Sequence, residues 1–61
     1  MKSDPKMALR MSYLMGRRGA PWPRAWARAR AHWEGACFAR CSSAWNAGRQ
    51  DAGLFPQEVL P

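Results

Sequence analysis

The chain has no isoleucine, one valine and four leucines, and its apolar runs are only a few residues long. A membrane-crossing helix needs roughly 18 or more consecutive apolar residues, so none is expected, and the N-terminus lacks the apolar core of a secretory signal. The cytoplasm is the expected location. Scarce aliphatic side chains also exclude a large aliphatic core. At 61 residues a chain buries only about 60% of the surface its unfolded form exposes, so folds of this size lean on a staple, a metal or a partner.

Only one histidine and two cysteines are present, which limits the first two of those supports. Cys37 and Cys41 have Cys-x3-Cys spacing, which places both thiols on one face of a helix. His32 lies about 140° from Cys37 on that wheel and no fourth ligand is evident, so no zinc site is expected and no cofactor is implied. A disulfide across one helical turn would be strained, and two reduced thiols in the core are the expected state. Carboxylates are also few. Asp4, Glu34, Asp51 and Glu58 are scattered, with no pair on one face, and Cys37 and His32 do not make a nucleophile and base by spacing. The chain is not expected to be an enzyme.

Acidic residues are missing altogether between Arg10 and Arg30, a stretch that holds six arginines, and the whole chain carries a net charge of +6. Such a block repels itself and attracts polyanions. Eight of the ten basic residues are arginine, whose planar fork grips phosphate and stacks on bases.

What the chain does contain is four Trp, two Phe, one Tyr and four Met. They set it apart from charged disordered segments, which are poor in aromatics. The order-forming material is concentrated in a few large side chains.

The pattern is all-α, a single small domain. Residues 1–16 read as a short helix: Asp4 caps, Pro5 takes the first helical position, Met7, Met11, Leu14 and Met15 share a face, and Gly16 stands where a C-terminal glycine cap belongs. Residues 17–23 hold Pro21 and Pro23 and read as a Pro/Arg-rich turn. There Arg17 and Arg18 either complement the helix dipole or meet a ligand. Residues 24–48, rich in Ala and Arg with no proline, read as one long amphipathic helix, kinked or broken near Gly35 or Cys41 if it is not continuous.

At 100° per residue, Trp26, Trp33, Cys37, Cys41, Ala44 and Gly48 fall within about 80° of the wheel. Phe38 and Trp45 flank that stripe, Arg30 and Arg40 lie in or beside it, and Arg24, Arg28 and Arg49 lie nearly opposite. Gly35 costs about 1 kcal/mol relative to Ala, and its place on the polar side suggests an exposed glycine rather than a close helix crossing. Residues 49–61 read as an extended tail whose Leu54, Phe55, Val59 and Leu60 are expected to fold back over the stripe.

Arginines interleaved with aromatics suit single-stranded or looped RNA, with guanidiniums on phosphates and rings on splayed bases. The anion-binding candidates are Arg17, Arg18, Arg24, Arg28, Arg30, Arg40 and Arg49. Trp22, Trp26, Trp33, Phe38 and Trp45 are candidates for core or partner packing, with Trp22, between two prolines, the tryptophan expected to be most exposed.

The segment Ala44-Trp45-Asn46-Ala47-Gly48-Arg49-Gln50-Asp51-Ala52-Gly53 resembles the Trp-x-x-Gly helix of small bacterial and phage proteins similar to ribosome modulation factor. Arg30-Ala31-His32-Trp33-Glu34-Gly35 is similar to the first helix of that group. The resemblance implies a short basic helical hairpin that binds near ribosomal RNA and silences translation, with Arg30, Arg40 and Arg49 facing phosphate.

The leading expectation is therefore a small binding protein for RNA or a ribonucleoprotein such as the ribosome. The alternative is a protein-binding module, an accessory subunit or phage-type inhibitor that lays the Trp26–Trp45 face into an apolar groove of its partner. Peripheral membrane association is least favoured, because Pro21, Pro23 and the narrow apolar stripe suit it poorly.

Overall fold

In the computed structural model, which describes residues 3–60, the chain forms three helices. They are α1 (Pro5–Arg17), α2 (Trp22–His32) and α3 (Phe38–Asp51). The only extended pairing among the described residues is an isolated bridge between Ser3 and Trp33. The Asp4 amide donates to the His32 carbonyl, 2.9 Å, so the start of α1 sits beside the end of α2 and the two run in opposite senses. Helix α3 returns alongside α1 in the same sense, since Ser12 meets Cys41 and Gly16 lies against Trp45 and Arg49.

Helix α1 begins as its residues dictate. Asp4 Oδ1 accepts from the Met7 amide at 3.0 Å, and Pro5 occupies the first helical position, where its missing N–H costs nothing. Its end differs from the expected one. Gly16 is not the cap but a buried residue inside the helix; the cap is Gly19, at φ 77°, with the Ala20 amide closing back onto Met15 O at 3.0 Å. That 6→1 bond is the Schellman closure, which needs a left-handed residue just past the helix.

The long helix expected over residues 24–48 is two helices. Trp33 leaves the helical region at φ −140°, ψ 99°, Gly35 adopts φ +74°, and the Ala36 amide turns back to Trp33 O. Gly35 is exposed, with nothing near the place where a Cβ would stand, so its role is conformational. A left-handed residue costs an L side chain roughly 1–2 kcal/mol and glycine almost nothing. The break brings Phe38 and Trp45 back against Trp22 and Trp26, which an unbroken helix would have strung along a single line.

Trp22 departs furthest from the sequence reading. It lies in α2 rather than in the preceding turn and is 7% exposed. Pro21 and Pro23 start the helix here instead of preventing it: Pro21 O accepts from the Arg24 and Ala25 amides, and Pro23 sits in the first turn, where no N–H is missed. Its ring centroid lies 5.6 Å from Trp26, 5.3 Å from Phe38 and 5.5 Å from Trp45. The core is completed by Ala8, Met15, Ala25, Ala29, Cys41 and Trp45. Trp45 is fully buried, and its indole Nε1–H donates to Ala20 O at 3.0 Å, so no polar group is stranded.

Helix α3 runs past the expected stop at Gly48 and ends at Gly53, φ +79°, where the Leu54 amide closes onto Arg49 O. Beyond it the chain is extended and tied to α3. The Asn46 carboxamide donates to Gln57 O and accepts from Gln57 N, both at 2.8 Å, and Arg49 Nε donates to Phe55 O at 3.0 Å. Of the four tail residues expected to fold back, Val59 packs against the core, while Phe55 and Leu60 stand 86% and 79% exposed. Leu54 is also exposed, at the edge beside Gly19.

The tightest packing joins α1 to α3. A Cβ added to Gly16 would collide with the Trp45 carbonyl oxygen, and one added to Gly48 would collide with the Tyr13 carbonyl oxygen. The two backbones therefore touch, and the contact is reciprocal: Gly16 faces Trp45 and Arg49, and Gly48 faces Tyr13 and Arg17. The sequence carries the same reciprocity, since Tyr13-x-x-Gly16-Arg17 in α1 recurs as Trp45-x-x-Gly48-Arg49 in α3. Each aromatic also reaches the far end of the opposite helix. Tyr13 Oη donates to the Asp51 carboxylate, and Trp45 Nε1 donates to Ala20 O. Ala8, Ser12 and Gly16 at i, i+4 and i+8 form the small-residue stripe that permits this approach.

A candidate nucleic-acid interface

Helix burial decides which side chains are available to a partner. On α2, Trp22, Ala25 and Ala29 face the core, which leaves Arg24, Arg28 and Arg30 exposed on the remaining faces. Arg17 and Arg18 are exposed at the end of α1, and Arg40 is exposed in the first turn of α3. Six of the seven arginines singled out from the sequence are thus at the surface. The seventh, Arg49, is half-buried and already engaged: Nε bonds Phe55 O, and its guanidinium lies 5.0 Å over the Trp45 ring. Arg10, also exposed, adds a cation that the sequence reading did not single out.

Two of the exposed arginines rest on half-buried tryptophans. Arg30 lies 5.7 Å over the Trp26 ring, and Arg40 lies 5.8 Å over the Trp33 ring. The ring quadrupole holds such a guanidinium as a flat plate and restricts its rotamers, so less entropy is lost when the outer edge meets an anion. Sequence spacing placed both arginines beside the stripe. The structure supplies the pairing even though the stripe itself is divided between two helices.

Arg17, Arg18 and Arg28 converge from two helices on one groove of about 530 Å³. Its remaining walls are Met11, Leu14 and Met15. These three were legible as the apolar face of α1, but the sequence gave no sign that the face is only partly covered. Met15 is 7% exposed, whereas Leu14 is 36% exposed and Met11 lies between them. Helix α1 gives its small-residue stripe to α3 and leaves this longer-chained face at the edge of α2. No acidic residue lines the groove.

Cys41 is buried, Cys37 is half-buried, and both are free thiols. Burial pushes the Cys41 thiol up from its ordinary value, against the lowering effect of the Ser12 hydroxyl, so this thiol is not an activated nucleophile. The Ser12 hydroxyl donates to Ala8 O at 2.9 Å, and no buried side-chain polar atom among the described residues lacks a partner. Among the same residues no cluster of three or more His, Cys, Asp or Glu side chains has metal-binding geometry, and no helix is long and apolar enough to cross a membrane. Tyr13 is held above its ordinary pKa, first by its hydrogen bond to Asp51 and then by desolvation and the Asp51 charge, with Arg17 opposing.

No protein-family model, curated protein or solved structure matches the chain.

Proposed function

We propose that the protein is a small, non-catalytic binding protein for single-stranded RNA or the RNA surface of a ribonucleoprotein such as the ribosome, acting in the cytoplasm. The observation that carries this reading is the separation of charge from ring. The tryptophans are drawn inward, while Arg17, Arg18, Arg24, Arg28, Arg30 and Arg40 stay exposed in a chain of net charge +6. Arginines spread over several faces suit a phosphate backbone that bends around a small body, and those on Trp26 and Trp33 are held ready for it. The resemblance of Ala44–Gly53 to the Trp-x-x-Gly helix of proteins similar to ribosome modulation factor points to the same class of target.

The alternative, a protein partner gripping the Trp26–Trp45 face, is left with less to grip. Trp22 and Trp45 are spent in the core, and Trp26 and Trp33 present only part of each ring beneath an arginine.

Salt dependence tests the proposal. A protein that neutralises about five phosphates of single-stranded RNA loses affinity with a log–log slope of roughly −3.5 against salt concentration, at about 0.7 per contact. A slope near zero contradicts it.

A further inference from the structure

The groove between α1 and α2 combines two properties that phosphate binding alone does not require. Its rim is cationic, from Arg17, Arg18 and Arg28, and its floor is apolar and soft, from Met11, Leu14 and Met15. Bare phosphates would satisfy the rim and leave the floor against water. A free aliphatic chain would cover the floor but bring only one anionic head to three guanidiniums. Methionine thioethers make favourable contacts with aromatic rings and adapt to flat shapes. The combination fits a flat ring carried on a chain of regularly spaced anions.

Resting on the RNA reading above, we propose that this groove seats one unstacked nucleotide of a single-stranded RNA. Its base lies on the Met11–Leu14–Met15 floor, and the phosphates on either side meet Arg17, Arg18 and Arg28. The groove thereby distinguishes RNA with a free base from an equally charged strand without one. The remaining exposed arginines, Arg24, Arg30 and Arg40, contribute charge to both alike.

The test compares two fluorescently labelled strands of equal length and charge, oligouridylate and a base-free ribose–phosphate polymer, by anisotropy with the full-length protein. The base-bearing strand should bind at least about fivefold more tightly at the same salt concentration, the scale of one good sulfur–aromatic contact. Met11→Gln together with Leu14→Gln should abolish the difference while leaving the salt slope unchanged. Circular dichroism checks that the helices persist, and Leu14→Gln alone serves if the double variant does not fold. Arg28→Ala should weaken both strands equally.

Equal affinity for the two strands with a steep salt slope overturns the nucleotide seat and leaves the RNA reading standing. A base preference that survives loss of the Met11 and Leu14 side chains also overturns the seat. Failure of both strands to bind, or binding without salt dependence, overturns the seat and the RNA reading together.

Discussion

The α1–α3 crossing and the α2–α3 contact hold the same small core by opposite means. At the crossing, Gly16 and Gly48 remove side chains so that backbone meets backbone. At the α2–α3 contact, Trp22, Trp26, Phe38 and Trp45 fill the space with four large rings, among them the edge-to-face pairs Trp22–Phe38 and Trp26–Phe38. The first arrangement admits no added atom, because backbone cannot rotate out of the way. The second admits substitution at a graded cost, because rings can shift and repack. A chain with four leucines and no isoleucine has few other routes to a core. The split also explains the free surface: rings that pack inward leave the arginines between them on the outside.

Substitutions separate the two contacts, and the largest effect belongs at the crossing. Gly16→Val or Gly48→Val drives a side chain into a carbonyl on the neighbouring helix. Overpacking ordinarily costs about 1–3 kcal/mol and more where nothing can relax. Against a total of roughly 3–9 kcal/mol for a chain of this size, either variant should lack a cooperative thermal transition. A cooperative transition near that of the parent protein would mean that the helices do not touch here.

Trp22→Ala comes next, at about 3 kcal/mol, read as a shifted denaturation midpoint in a protein that still folds. A loss of less than 1 kcal/mol would return Trp22 to the exposed loop that the sequence suggested. Gly35→Ala should be milder, about 1 kcal/mol, since it forces a side chain into the left-handed region without meeting a neighbour. An increase in stability would mean that the long helix is continuous.

Tyr13→Phe should have the smallest effect. Because the folded state raises the Tyr13 pKa, the phenol's contribution is fully present below the unfolded tyrosine value near 10. It is lost as pH rises through the higher folded value. The parent protein should therefore lose stability relative to Tyr13→Phe only in strongly alkaline solution. A difference that instead grew with pH would contradict the Tyr13–Asp51 hydrogen bond.

Much of the local structure was legible in the sequence because local rules set it. Asp4-Pro5 names a helix start, and Ala- and Arg-rich stretches name helix. Gly35 was marked as a weak point, although its side of the wheel said nothing about a left-handed turn. What escaped was settled by tertiary contacts. Pro21 and Pro23 read as helix breakers until placed at a helix start, so Trp22 was assigned to a loop. Gly16 has the sequence context of a cap and the environment of a crossing. The signal that distinguishes these is the recurrence of Tyr-x-x-Gly-Arg at residues 13–17 as Trp-x-x-Gly-Arg at residues 45–49, visible only when the chain is compared with itself. The arginine surface was legible as composition. The groove was not, because whether Met11 and Leu14 are covered depends on how far α2 extends across α1.

The central claim is that rings hold the fold while exposed arginines hold the ligand. It is tested most directly by titrating salt against single-stranded RNA binding for Arg24→Ala with Arg28→Ala. Neither side chain is buried, so the melting temperature should match that of the parent protein. The log–log slope should fall from roughly −3.5 to about −2, losing about 0.7 for each phosphate contact removed. An unchanged slope, or a variant that binds normally but melts early, would contradict the claim.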